Sequence, residues 1–372
     1  MDKYFWLDVE MKENSNQSRI AIIETNISGG RFGIQNLKSF QVSKCHIGNN
    51  IPKVRNLVKM DWSTIYAEDN WNPYLKLNFT EVFPNLSGEN LHMDTSMSLD
   101  SVMPFSIIKL ENIENFRLDN STFRLILTVR LLYLTKVNGN IQSADFQQLH
   151  FFSTGLYFKE SNVNVSIINV SKSNGHGRGM IFATDVSKLA LIDLNLISNK
   201  GIFDIFSLTK TSIWINRLNI TYMELIRRIF LLMTPKRTTL TNLEFVSVRG
   251  GSSYLESNNW KEKVEVIIRN VSMIGSPSRF GFWCSRINLK MMNFNFTDTK
   301  IEREVFQVAG RSDVVLKDIR LHNCTSNFFL NAARFSTVNL TDIKLLKSTL
   351  TYSTVSMEKA FLRIRNFNNQ FT

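Results

Sequence analysis

The chain has 372 residues, of which 43% are apolar and 20% charged, with a net charge of +12. That apolar share feeds a continuous core and excludes a disordered chain, and no run approaches the roughly 20 apolar residues that a membrane-spanning helix needs. The cations are scattered, with Arg227–Arg228 and Lys236–Arg237 as the densest pairs. They read as a solvated basic face, and the motifs that interleave basic and aromatic residues for RNA are absent, so there is no specific nucleic-acid signal.

Residues 1–18 form a polar lead-in after the aromatic start Tyr4-Phe5-Trp6, which lacks the apolar stretch of a secretory signal. A strand-like run follows at Ile20 to Ile27, then Gly29-Gly30, then an alternating run from Phe40 to Ile47. Residues 51–105 resist registration. Trp62, Trp71, Pro73, Pro84 and Pro104 punctuate them, and Pro at such places argues against central strands, so they read as irregular coils with loops.

From Phe116 onward the chain repeats. The frame is apolar, any, apolar, any, Asn or Asp, apolar, any, apolar. It fits at Phe116, Ile141, Val165, Leu189, Ile213, Thr238, Val266, Leu289, Val314, Val338 and Leu362, and in a looser form at Phe40. Most steps between starts are 24 or 25 residues, with one of 28 and one of 23, and a fixed period in the twenties marks a solenoid. Within the frame, positions 1 and 3 face one side of a strand, and positions 6 and 8 do the same on a second strand. Alternation slips between positions 3 and 6, so the chain bends there. The fifth residue sits in the bend: Asn120, Asp145, Asn169, Asp193, Asn242, Asn270, Asn293, Asp318, Asp342 and Asn366, with Arg217 the exception. Asn and Asp tolerate the left-handed conformation a sharp bend requires, and stacked amides can bond along the stack. A second apolar patch later in each repeat, such as Ile181-Phe182 or Phe280 and Phe282, gives a third strand per coil of about 24 residues.

This all-β pattern resembles the right-handed parallel β-helices of the pectin-lyase-like superfamily. The resemblance covers 116–372 well and 20–115 loosely, so the chain divides into an N-terminal segment of irregular coils (1–115) and one regular solenoid (116–372). It implies an internal asparagine ladder and no particular activity. Within the regular part, Tyr222–Met233 has spacing compatible with a helix or with the third strand of its coil, and the strand fits the period better. The 28-residue step places extra residues in a polar loop at 249–263, which carries Tyr254 and Trp260. The last coil ends in Asn-Asn-Gln-Phe-Thr without an evident cap, and the expectation is a piece of a longer protein that carries signal, anchor or cap elsewhere.

Chemistry-bearing groups are sparse. Gly175-His176-Gly177 looks like the tripeptide of polygalacturonase-type glycosidases, yet the Asn-x-Asp, Asp-Asp and Arg-x-Lys partners such a site needs are missing, so it reads as a turn. A pectate-lyase-type site needs an acidic calcium cluster; the stacked Asp145, Asp193, Asp318 and Asp342 alternate with Asn and read as backbone-bonding. His46, His92, His150, His176 and His322 are dispersed, without metal-ligand spacing, and no cofactor fingerprint occurs. Cys45, Cys284 and Cys324 give no disulfide framework and read as buried small apolar residues.

Twelve Asn-x-Ser/Thr sequons occur, and Asn164, Asn219 and Asn339 are expected to point outward as glycosylation candidates. Trp214 sits at an outward position, and with Tyr254, Trp260 and Trp283 it offers a weak candidate surface for stacking sugars. The functional expectation is a non-enzymatic structural, adhesion or binding segment of a larger cell-surface, membrane-associated glycoprotein, with carbohydrate or other surface proteins as partners and no cofactor. In its Asn- and Phe-rich repeats it resembles the β-helical ectodomains of protist surface proteins. The alternatives are a polysaccharide lyase or glycoside hydrolase of the same superfamily, and a basic scaffold subunit of an intracellular assembly.

Overall fold

The computed structural model describes residues 5–10, 19–23, 26–28, 30–35, 39–43, 46–48, 106–175, 179–258 and 264–370. The expected Phe40 strand is found as Ser39–Ser43, whereas the readings of 51–105, Cys45, His176 and Trp260 fall outside the described residues. Among the described residues every element is a strand, every strand pairing is parallel, and all strands join one sheet wound into a right-handed β-helix.

Left-handed backbone at fixed positions winds the chain. In the coil that begins at Ser143 (φ 53°), the next such residues are Gln148, Glu160 and Ile167, at intervals of 5, 12 and 7 residues (148 − 143, 160 − 148, 167 − 160). The same three corners recur at Asp193, Ser198 and Lys210, and at Arg217, Tyr222 and Thr234. Each corner turns the strand while inward residues stay on the axis, so a coil holds three strand segments. In Ile213–Thr221 the burial alternates across the bend: Ile213 and Ile215 lie inside before Arg217, Leu218 and Ile220 after it. The 222–233 ambiguity resolves as the strand Glu224–Met233, paired with Ile202–Thr209 below and Ser253–Asn258 above. The parallel pairing with coils on both sides supplies the backbone partners that an isolated helix would have to find internally.

Pairing fixes the register coil by coil. Leu191 stands over Val165 and under Ile215, and Leu289 stands between Val266 and Val314. The same stack includes the first described strands: Phe5–Glu10 pairs with Gly30–Gln35, which pairs with the extended run Ser106–Lys159, and Phe40 sits under Phe116. The interior is a continuous column of Leu, Ile, Val and Phe, with Phe116, Phe146, Phe206, Phe294, Phe306 and Phe329 fully buried. Phe206 stacks on Phe230 from the next coil at 4.8 Å, so the aromatic content is stacked along the axis.

Two expectations about the bend are corrected. The frame is displaced by two residues in the coils read from Ile141 and Val165: Gly139 and Val163 lie under Leu189, and the left-handed residues are Ser143 and Ile167 in place of Asp145 and Asn169. The physical reason is burial. Placing Val163, Val165, Ile168 and Val170 inside requires Ile167 to take the corner, exposed and strained for a β-branched residue. Asn169 then points outward two residues later and accepts a hydrogen bond from Asn195 Nδ2 at 2.9 Å. The second correction concerns the ladder itself. Asn242, Asn270, Asn293 and Asn366 are exposed, so their amides bond along the outer surface, not inside the coil. Asn270 Nδ2 donates to Asn242 Oδ1 at 2.9 Å, Asn293 to Asn270 at 3.1 Å, and Asn366 to Asp342 at 2.9 Å. Asp193 (φ 56°) and Asp318 (φ 54°) hold the same corner.

The buried polar ladder is made of hydroxyls just after the other two corners. Ser161, Ser173, Thr211, Ser276, Thr299, Ser312, Ser336 and Ser348 are each no more than 3% exposed. Ser276 Oγ accepts the Val248 N–H at 3.2 Å and donates to Ile274 O at 3.0 Å; Ser348 does the same for Cys324 and Leu346 at 3.2 and 3.0 Å. These hydroxyls satisfy backbone groups that the turn takes out of the ladder.

Candidate functional site

The outward face of the third strand segment carries most of the side chains that do not merely close the stack. On Phe280–Ser285 alternation sends Phe282 and Cys284 inward and Trp283 outward, where its side chain is 41% exposed. In the register column of Trp283, Glu256 lies one coil below, Gln307 one coil above and Asn331 beyond it. At the other edge of the segment, Phe280 is flanked by the guanidinium groups of Arg279 and Arg303, at 5.5 and 5.2 Å from its ring centre. Phe328 stacks on Tyr352 at 5.4 Å.

Below Trp283 lies a buried ion triad that spans three coils. Arg228 is 5% exposed; its Nε donates to Asp204 Oδ1 at 2.8 Å and a terminal nitrogen donates to Glu256 Oε2 at 2.5 Å. The solvated basic face expected of Arg227–Arg228 splits here. Arg227 is exposed and Arg228 is not: alternation breaks in this strand, where Ile226 and Arg227 face out and Arg228, Ile229 and Phe230 are all buried, opposite a register shift between Ile202 and Asp204. Burial pushes the Asp204 carboxyl above its ordinary value, against the opposing pull of Arg228. Further along the same face Tyr133, Tyr157 and Phe182 stack at 4.8 and 5.2 Å, with Arg130 5.0 and 5.1 Å from the two tyrosine ring centres. None of these groups stood out as a site in the sequence. A signal was available: acidic and basic residues one period apart, Asp204 and Arg228, at a position where other coils place apolar or small residues.

Among the described residues the expected aromatic surface is not assembled. Trp214 is 43% exposed but belongs to the first strand segment, a different face from Trp283. Tyr254 is a core residue, 4% exposed, against the expectation of a loop aromatic. Its strand, Ser253–Asn258, turns it inward against Phe282 and Phe296, and its hydroxyl donates to the Ser276 carbonyl, which leaves it desolvated and its pKa raised. The glycosylation candidates Asn164 and Asn339 share the outward register column of Trp214. Asn164 donates to Asn140 Oδ1 at 3.0 Å, and Asn219 Oδ1 accepts from Thr221 Oγ1 at 2.8 Å. Arg217, the exception in the ladder, replaces an amide bond with a charged one: it clasps Asp193, with one nitrogen at 2.6 Å, and holds that carboxyl below its usual range. Cys284 and Cys324 are buried free thiols, and burial pushes Cys324 up to about 11. No group of three or more metal-ligating side chains occurs among the described residues.

Chemically, the Trp283 face pairs an open indole with amides and a carboxylate at strand spacing. That set can stack the apolar face of a sugar ring and bond its hydroxyls. No family model and no curated protein matches this chain. Among solved structures it is similar to a polygalacturonase from Erwinia carotovora ssp. carotovora, with 8% identity and a TM-score of 0.26, over 99% of this chain and 94% of that one.

Proposed function

We propose that the chain is a non-enzymatic binding scaffold of a surface-exposed protein, a rigid β-helix that presents its third-strand face to carbohydrate. The observation that carries this reading is Trp283, two-fifths exposed in a column with Glu256 and Gln307. Rigid strands hold the ring without the ordering cost of a loop, which favours recognition of a weak, multivalent ligand. The test is titration with neutral oligosaccharides followed by indole fluorescence. Trp283→Ala abolishes the response and Trp214→Ala leaves it; the reverse pattern, or no saccharide response at all, removes the reading. Intact mass before and after glycosidase treatment tests the surface placement. Loss of glycan masses supports it, and a bare polypeptide mass moves the weight to a basic subunit of an intracellular assembly.

Hydrolysis is the second reading, and Asp204 with Glu256 favours it, because a carboxyl raised by burial beside a second carboxylate is the acid–base arrangement of glycosidases. Against it, Arg228 bonds both carboxylates. Release of reducing ends from a polysaccharide, lost in Asp204→Asn, would reverse the order of the two readings.

A further inference from the structure

We propose that the C-terminal coils dock on an anionic lipid bilayer through the corner formed by Arg311, Arg334, Phe335, Lys359, Phe361 and Arg363. One corner recurs through the described coils. In its lower part the corner residues alternate in charge and pair: Lys136 lies 4.0 Å from Glu160, and Lys210 lies 3.7 Å from Asp185. In its upper part the same corner is held by Arg286, Arg311, Arg334 and Lys359, all in the left-handed conformation. They stack directly: the Arg311 N–H bonds Arg334 O at 3.0 Å, and the Arg334 N–H bonds Glu358 O at 3.1 Å. Like charges are therefore repeated at about 4.8 Å, where opposite charges would stabilise the stack. Arg311, Arg334, Lys359 and Arg363 are all exposed, and no carboxylate bonds any of them among the described residues. Asp313 and Glu358 lie beside the ridge in sequence, and the ridge keeps an excess of positive charge.

Phe335 supplies the second observation. It takes the corner beside Arg334 at φ 63° and is 60% exposed, so one residue combines backbone strain with an unburied ring. Phe361, in the next coil, continues the outward column of Asp313 and Thr337, two residues past Phe335. Protruding aromatic rings ringed by guanidinium and ammonium groups fit the interface of a membrane with acidic headgroups, where the rings enter the boundary layer and the cations meet phosphate. A soluble polyanion would use the cations but would leave both rings in water.

The test is co-sedimentation of the full chain with vesicles of phosphatidylcholine alone and with about a third phosphatidylserine. The expected result is binding only to the phosphatidylserine vesicles, weakened by added salt, and weakened by more than about tenfold in Arg334→Glu. The pair Phe335→Asn with Phe361→Ser loses vesicle binding while its thermal midpoint stays equal or rises, because Asn accepts the left-handed corner. No binding to anionic vesicles overturns the proposal. So does binding that ignores the two Phe substitutions, or binding of heparin or RNA with vesicles left free, which assigns the ridge to a soluble polyanion.

Discussion

Ile167 shows how a single residue is overruled by its neighbours. It is 46% exposed at φ 55°, and the only gain in placing it there is that Val163, Val165, Ile168 and Val170 all face the core. A left-handed β-branched residue costs about 1–2 kcal/mol, so Ile167→Asn is expected to stabilise the protein by about 1 kcal/mol and to raise the melting temperature seen by circular dichroism. Ser276 shows the opposite balance. Its hydroxyl is fully buried between the Val248 N–H and the Ile274 carbonyl, and Ser276→Ala leaves that buried donor without a partner. The expected loss is about 1–3 kcal/mol, measured by urea unfolding, and an unchanged midpoint would mean that the hydroxyl ladder contributes nothing.

At the scale of one element, Glu224–Met233 carries both the core and the charge triad. Leu225, Ile229, Phe230 and Leu232 are buried, and Arg228 is buried between coils with Asp204 and Glu256. Removing the cation alone leaves the buried Asp204 and the partly exposed Glu256 uncompensated, so Arg228→Met is expected to cost about 3 kcal/mol, more than any exposed ion pair among the described residues. The pH dependence follows from Asp204. Its carboxyl is raised from 3.8 in the folded protein, so the fold binds this proton more tightly than the unfolded chain does. That contribution is fully present below pH 3.8 and is lost as pH rises through the higher folded value. Stability curves of the wild type and Asp204→Asn should therefore converge in shape except over that window, and parallel curves throughout would sink the assignment.

The whole molecule is a one-dimensional stack in which each coil contacts its neighbours, and its surface charge is unbalanced along that axis. With a net charge of +12 and cations repeated at one corner, self-repulsion opposes the folded state at low ionic strength. Added sodium chloride screens it, so the thermal midpoint is expected to rise between about 10 and 200 mM salt, over which the Debye length falls from about 30 Å to below 10 Å. A falling midpoint would mean that the surface ion pairs, such as Lys290 with Glu265 at 2.8 Å, outweigh the repulsion.

The period, the three strands per coil and the stacking of amides were legible because they repeat: eleven copies of one alternation average out local exceptions, and Asn or Asp is favoured at a left-handed bend. That the amides stack outside the coil was not. Tertiary structure alone decided what depends on neighbouring coils. Register at Val163 was set by four buried side chains against one exposed Ile167, a balance invisible to a frame that scores one coil. Tyr254 went inside because alternation breaks in its strand: Ser253, Tyr254 and Leu255 are all buried, as Arg228, Ile229 and Phe230 are one coil below. Arg228 was buried because Asp204, 24 residues away in the chain, stands opposite it in the coil below and Glu256, 28 residues away, bonds it from the coil above. Sequence alone determines which residues alternate; stacking determines which coil each one meets, and in a solenoid the chemistry lies in those meetings.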